Sequence, residues 1–195
     1  VKCYLNNEVS TDTLKDINPD IVILATGAVP FLPDIKGIDK DIVIPFSVIL
    51  NGGNPSSRNT VLIGGGPTGC EVAVHLSENG CPVTIIEMLP DIGEGLETMT
   101  KKMLVRSLIK NNVRIMTGFK ATRIEDNGVF VTDKDSTETF LDAERVVVAA
   151  GFRPDNSLYE KIKDLGYEVY QIGDCLEPRS AKTAIYEGAV LGRFI

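Results

Sequence analysis

Apolar and polar positions along the chain fall into two alternating rhythms. Short aliphatic runs end in glycine, and between them lie stretches with helical spacing, the punctuation of an α/β protein. The clearest run is Thr60-Val61-Leu62-Ile63, closed by Gly64. Pro67 to Asn79 then reads as a helix, with Pro67 suited to its first turn and Gly80 to its stop. A second strand follows at Val83 to Glu87. Strand, helix and strand within about 30 residues form a βαβ unit, whose crossover is expected to be right-handed. Leu96 to Lys110 reads as an amphipathic helix with Met99, Met103, Leu104 and Leu108 on its apolar face. Val113 to Thr117 is a third strand. Lys120 to Leu141 alternates polar and apolar residues and breaks at Asn127-Gly128 and at Asp133-Lys134-Asp135, which predicts a small antiparallel meander. Arg145 to Ala149 is a buried strand ending in Ala150-Gly151.

The flanks carry a second pattern. Asp20 to Leu24 is an aliphatic strand ending in Ala25-Thr26-Gly27, and Val169 to Ile172 is another leading into Gly173-Asp174. Ser180 to Phe194 reads as a helix. The polar stretch Asn51 to Asn59 and the region just after Gly151 read as linkers. The expected fold class is therefore α/β: a Rossmann-like, doubly wound central domain with a small meander, inserted between two pieces of a second α/β domain. The boundaries expected are 1–57, 58–152 and 153–195.

Composition narrows the function. The chain has 195 residues, 43% hydrophobic, enough for one or two small domains with a core. Twenty basic against 27 acidic residues give a formal charge of −7, so neither nucleic acid nor an anionic membrane is an expected partner. No apolar run approaches the ~20 residues of a membrane span, and a cytoplasmic location is expected. Cys3, Cys70, Cys81 and Cys175 form no C-x-x-C pair and fit no zinc spacing, so no metal site is expected and reduced thiols are. His75, the one histidine, has no catalytic partner at useful spacing and reads as edge packing. The first residue is Val1, which suggests a processed or excised piece.

The chemistry is concentrated in one place. Gly64-Gly65-Gly66-Pro67-Thr68-Gly69 matches G-x-G-x-x-G, follows a strand, opens a helix and meets the acidic Glu87 at the end of the next strand. Gly64 suits the tight turn, Gly66 lets a pyrophosphate approach the backbone, and Gly69 lets helix and strand pack closely. The helix N-terminus offers amide groups and a partial positive charge to phosphates. Glu87 can accept hydrogen bonds from the adenosine ribose hydroxyls. NADH is expected over NADPH, because a carboxylate repels a 2′-phosphate and Met88, Leu89 and Pro90 supply no cation; Lys120 or Arg123 could reach in from elsewhere. Cys70 reads as a small packing residue under the helix, Cys175 likewise, and Lys101-Lys102 as a solvated helix face. Arg153 and Arg179 are candidates for phosphate contact, although Arg153 could instead bind backbone carbonyls.

These motifs resemble the C-terminal part of the NADH:flavin oxidoreductases that include 2,4-dienoyl-CoA reductase, 2-enoate reductase and trimethylamine dehydrogenase. The matching pieces are residues 25–30, 61–71, 83–88 and 149–154, and the run Ile172-Gly173-Asp174-Cys175 with Pro178-Arg179 and Ala184-Ile185-Tyr186-Glu187-Gly188. That last run discriminates most against thioredoxin reductase-like proteins. The resemblance implies that the inserted domain binds NAD(P)H and the flanking pieces bind FAD. It places Gly64, Gly65, Gly66, Pro67, Thr68 and Gly69 on the nicotinamide dinucleotide's pyrophosphate, Glu87 on its ribose, and Ala150 and Gly151 on the other side. Thr26, Gly27, Gly173 and Asp174 would belong to the FAD site, with Ala184 facing the isoalloxazine. Glu71 either lies near the gap between nicotinamide and flavin or is a first-turn acid favoured by the helix dipole.

The resemblance also implies what should stand elsewhere. An FAD domain opens with its own strand, glycine turn and helix, and no glycine precedes Ala25. The expectation is a fragment, a complete NAD(P)H domain with the back half of an FAD domain, no catalytic residue of its own and no stable FAD when isolated. The barrel, its FMN and an iron–sulfur cluster would lie upstream in the same polypeptide, and reduction of an activated C=C bond would be the reaction. Two other functions fit the same residues: a nucleotide-binding module without redox chemistry, and an acidic electron-transfer docking domain.

Overall fold

The protein is described by a computed structural model covering residues 1–53 and 58–195. Its elements run α1 (Thr11–Ile17), β1 (Ile21–Leu24), β2 (Ala28–Pro30), β3 (Val43–Pro45), α2 (Phe46–Leu50), β4 (Thr60–Ile63), α3 (Pro67–Glu78), β5 (Val83–Glu87) and α4 (Thr98–Lys110). They continue with β6 (Arg114–Thr117), β7 (Lys120–Glu125), β8 (Gly128–Thr132), β9 (Glu138–Asp142), β10 (Arg145–Val148), β11 (Phe152–Pro154), α5 (Ser157–Ile162), β12 (Glu168–Gln171), a 3₁₀ turn (Gly173–Cys175) and α6 (Ala181–Phe194). Among the described residues no helix is long and apolar enough to cross a membrane.

The chain divides into two compact units, Pro30–Gly151 and a segmented unit made of Val1–Val29 with Phe152–Ile195. The first boundary thus falls at residue 29 and not at 57. The reason is β3, whose Val43, Ile44 and Pro45 pair in parallel with Val146, Val147 and Val148 and so join the central sheet. Of the linker expected at 51–59, residues 54–57 lie outside the described residues; Asn51 caps α2, and Asn59 is held by Glu144 and by the Asp142 carbonyl. The stretch after Gly151, expected as a linker, is the strand β11, which pairs with β2.

The central unit is a five-stranded parallel sheet in the order β3-β10-β4-β5-β6. Its inner strands β10, β4 and β5 are buried on both faces, as parallel strands in the middle of such a sheet must be, while the edge strands β3 and β6 are partly exposed. Leu62, Ile85 and Val147 pack beneath α2 and α3 with Phe46, Ile49, Val72 and Leu76. The alternate residues Val61, Ile63, Ile86, Val146 and Val148 face Ile124, Val129, Val131 and Leu141 of the meander β7-β8-β9. The meander therefore covers the face that helices cover in an ordinary doubly wound fold. Each such aliphatic side chain removed from water contributes about 1.5–3 kcal/mol. Helix α4 buries Leu108 fully and Leu104 and Val105 in part, whereas Met99 and Met103 are exposed, contrary to the apolar face read from the sequence.

The segmented unit is smaller. β1 and β12 form a two-stranded parallel sheet with Ile21 to Leu24 opposite Glu168 to Gln171. Its core is Leu14, Val22, Leu24, Ile162 and Cys175. Ser10 caps α1 with a capping box, and Ser180 caps α6 through the Thr183 amide.

Candidate functional site

The strand order fixes where a ligand can sit. β5 and β6 lie on one side of β4, and β10 and β3 on the other, so the chain reverses direction across the sheet between β4 and β10. In open α/β sheets ligands bind outside the carboxyl ends of the strands at that switch point. The residues there are Gly64–Gly69 after β4 and Ala149–Gly151 after β10.

Each glycine of the turn has its own physical requirement. Gly64 has φ +106°, and a Cβ there would stand 2.4 Å from the Ala149 carbonyl oxygen, so the two strand ends approach backbone to backbone. A Cβ on Gly69 would stand 1.9 Å from the Gly64 oxygen, which makes Gly69 the helix-to-strand contact. Gly66 differs from both. Its backbone is extended, φ −67° and ψ −173°, and a Cβ would meet nothing within 4 Å. The space before Gly66 is open, and the first turn of α3, Pro67, Thr68 and Gly69 included, has no capping side chain. Pro67 at the first helical position lacks an N–H to satisfy, the Cys70 amide already donates to the Gly66 carbonyl, and the Thr68 and Gly69 amides between them find no acceptor among the described residues. An open cradle with uncapped amides fits a pyrophosphate.

Glu87 closes the site from the side. It is 8% exposed. Its Oε2 accepts from the Gly65 amide at 2.6 Å and its Oε1 from the Leu89 amide at 2.8 Å. Gly65 is held on its other side as well, since its carbonyl accepts from the Gly93 amide at 2.6 Å and from the Cys70 thiol at 3.3 Å. A Cβ on Gly65 would meet the buried Ile92 at 2.7 Å. The sequence reading missed Ile92 and Gly93, because a loop that folds back on a turn leaves no periodic trace. The loop is tied down by an ion pair of 2.7 Å between Asp91 and Lys101, so Lys101 is not a free solvated cation. The hydrogen bond from Lys101 and the Ile92 amide hold the Asp91 carboxyl below its ordinary pKa.

The remaining positions sort plainly. Cys70 is a packing residue: burial pushes its thiol up to about 11, far from a nucleophile. Glu71 is exposed and lies beyond the first turn of α3, so the first-turn alternative for it fails on position. His75 is half-buried in the last turn of α3. Ala150 is half-buried and Gly151 exposed, at φ +106°, with its carbonyl accepting from the Phe31 amide.

In the segmented unit, Thr26-Gly27 and Gly173-Asp174 lie at the carboxyl ends of the paired strands β1 and β12. The Thr26 hydroxyl donates to the Asp155 carbonyl at 2.8 Å, and the Gly27 carbonyl accepts from the Asp155 amide at 3.0 Å. Gly173 has φ +67° and faces Ala184, whose Cβ would be 3.3 Å from an added one. Glu187 accepts from the Gly173 amide at 2.7 Å and pairs with the Arg179 guanidinium, while the Arg179 amide donates to Asp174 at 3.2 Å. Arg179 is thus committed within its own unit, and Arg153 lies exposed on β11. These residues gather at the carboxyl ends of β1 and β12. The glycine turn that would cradle a second pyrophosphate is not among the described residues.

Comparison with known proteins agrees with this architecture. Residues 2–188 match the family described as pyridine nucleotide-disulphide oxidoreductase. An NADH oxidase of Thermoanaerobacter brockii is 35% identical over 182 residues, which cover 91% of this chain and 28% of that protein. A cinnamate reductase of Clostridium sporogenes is 30% identical over 189 residues, 95% of this chain and 28% of the relative. Among solved structures, a 2-naphthoyl-CoA reductase superposes with a TM-score of 0.86 at 32% identity, covering 94% of this chain and 28% of that one. The chain spans somewhat over a quarter of the length of these relatives.

Proposed function

The chain belongs to the pyridine nucleotide-disulphide oxidoreductase family, and from that premise we propose that it is the nucleotide-handling part of a flavin oxidoreductase whose central unit binds NADH. The observation that carries this reading is the open, uncapped cradle at Gly66 beside an anchored Glu87. Gly66, Thr68 and Gly69 hold the pyrophosphate through their amides, Pro67 shapes the turn, and Gly64 and Gly65 set its curvature. Glu87 receives the ribose hydroxyls, and Ala150 and Gly151 form the facing wall. When bound, NADH supplies a hydride equivalent, and the protein's share is to orient it and exclude water.

The segmented unit is the return half of an FAD site in the same proposal. Asp174 and the Gly173 turn meet the ribityl-pyrophosphate region, Thr26-Gly27 lie beside them, and Ala184 faces the flavin. Reduction of an activated C=C bond is the reaction we favour for the whole polypeptide, as in 2,4-dienoyl-CoA or enoate reductases, with FMN and an iron–sulfur cluster in an upstream barrel. The names of two relatives, a cinnamate reductase and a 2-naphthoyl-CoA reductase, support that choice because both denote conjugated acyl compounds.

The test is direct titration of the chain with NADH, followed by nicotinamide fluorescence and by the amide signals of Gly65 and Gly66. Saturable binding that moves those two signals is expected. Absence of binding, or shifts confined to other elements, overturns the assignment.

A further inference from the structure

We infer that Glu87 is a positioning residue for the pyrophosphate turn as well as a ribose acceptor, so that its loss weakens binding of a ligand that has no ribose. The inference rests on the dinucleotide reading of Gly64–Gly69 and concerns what holds that turn in shape. The Gly65 peptide is its hub. The amide of Gly65 is committed to Glu87 Oε2 at 2.6 Å, and its carbonyl to the Gly93 amide at 2.6 Å and the Cys70 thiol at 3.3 Å. The peptide plane between Gly65 and Gly66 contains that carbonyl, so fixing the carbonyl also fixes the direction of the Gly66 amide, one of the donors a pyrophosphate needs.

Glu87 is itself immobilised. Its second oxygen accepts from the Leu89 amide at 2.8 Å, and its side chain packs within 3.0 Å of where a Gly65 Cβ would stand. Both oxygens keep a lone pair for ribose hydroxyls, since a carboxylate offers about four acceptor positions. The two halves of the dinucleotide site therefore share one residue. A hydrogen bond between a carboxylate and a backbone amide in a nearly buried setting is among the stronger kinds, and removing the acceptor leaves the Gly65 amide unsatisfied.

Charge alone makes the opposite forecast. A carboxylate beside a phosphate site repels phosphate, so deleting it should tighten binding of a bare anion. The direction of the effect therefore separates positioning from electrostatics.

The experiment titrates inorganic pyrophosphate into the wild-type chain, Glu87→Ala and Glu87→Gln, reading the Gly65 and Gly66 amide signals, with NADH titrated in parallel and melting temperatures recorded. Pyrophosphate affinity is expected to fall about fivefold or more in Glu87→Ala. The Gly65 amide proton should move upfield in that variant as its acceptor goes. Glu87→Gln keeps one acceptor oxygen and should bind pyrophosphate more tightly than Glu87→Ala does. Unchanged or tighter pyrophosphate binding by folded Glu87→Ala overturns the inference, as does Gln no better than Ala. A wild-type chain that binds NADH without any pyrophosphate response at Gly66 also overturns it. A wild-type chain that binds neither ligand brings down the dinucleotide reading itself, a distinct failure.

Discussion

Two glycine turns that follow parallel strands stand in very different settings. After β4, Gly64–Gly69 leaves a five-stranded parallel sheet with helices on one face and a meander on the other. After β12, Gly173-Asp174 leaves a sheet of two strands, and the following helix α6 buries no residue fully. Ile185, Tyr186 and Phe194 of that helix are exposed, as is Ile23 in the middle of β1. A glycine turn after a strand is only as rigid as the layers beneath it. The central unit supplies those layers from its own sequence. The segmented unit has a core of five buried side chains, and two paired strands are marginal by themselves in water. The first turn is thus held in shape by the layers beneath it, and the second rests on far less.

The largest expected effect follows from this contrast. The segmented unit should open at lower free energy than the central one. A gap of about 3 kcal/mol would separate their exchange rates about a hundredfold. The cysteines report it without mutation, because Cys175 is buried in the segmented unit and Cys70 and Cys81 in the central one, while Cys3 is exposed. Thiol trapping should label Cys3 at once, Cys175 next, and Cys70 and Cys81 last. Equal protection of Cys175 and Cys70 would break the comparison. If Thr26, Gly27, Gly173 and Asp174 belong to an FAD site as proposed, the same weakness predicts that the chain purifies without stoichiometric flavin absorbance.

Within the central unit the contrast can be made between glycines. Gly66→Val should lower NADH affinity about a hundredfold or more while leaving the melting temperature near wild type, because a side chain there fills only the ligand's space. Gly69→Val should do the reverse and destabilise the fold, with its Cβ 1.9 Å from the Gly64 oxygen. Retained NADH binding in Gly66→Val would move the site elsewhere. In the segmented unit the corresponding hold is Glu187. Glu187→Ala leaves the Gly173 amide without its acceptor and the Arg179 guanidinium with Glu177 alone, and should cost that unit about 1–3 kcal/mol, read as faster labelling of Cys175 with Cys70 unaffected.

Much of the central unit is legible in its sequence because each of its elements carries its own signal. Strand β4 is a continuous aliphatic run, α3 is bracketed by Pro67 and Gly80, and the meander shows both alternation and turn residues at Asn127-Gly128. What stays hidden is what depends on distant partners. Val43–Pro45 is three residues long and ends in proline, and only its pairing with Val146–Val148 makes it part of the sheet. That is why the boundary drawn at 57 belongs at 29. Met99 and Met103 share a helical spacing with Leu104 and Leu108, but a spacing does not say which stripe of a helix meets the core. The hold on Gly65 by Ile92 and Gly93 is likewise a tertiary fact, since the loop that makes it has no period.

The smallest effect tests the finest claim, preference for NADH over NADPH. A 2′-phosphate placed about 4 Å from the Glu87 carboxylate would cost about 4 kcal/mol at an effective dielectric of 20, and even a quarter of that is about a fivefold preference. The structure supplies the reason the carboxylate cannot simply swing away. Both of its oxygens are bound, to the amides of Gly65 and Leu89, so making room for a phosphate breaks hydrogen bonds that shape the Gly64–Gly69 turn. Of the two cations that could offset the repulsion, Arg123 is committed to Glu125 at 2.8 Å and stacks over Phe130 at 3.9 Å. Lys120, exposed at the start of β7, remains the one to test. Parallel titration of both reduced cofactors should favour NADH in the wild type and in Lys120→Ala, and the preference should shrink in Glu87→Ala, where affinity for NADH falls as well. Equal or tighter NADPH binding by the wild type would leave Glu87 as a brace for the turn with no say over the ribose, and if Lys120→Ala then restored the preference for NADH, the discriminating residue would lie in the meander and not at the end of β5.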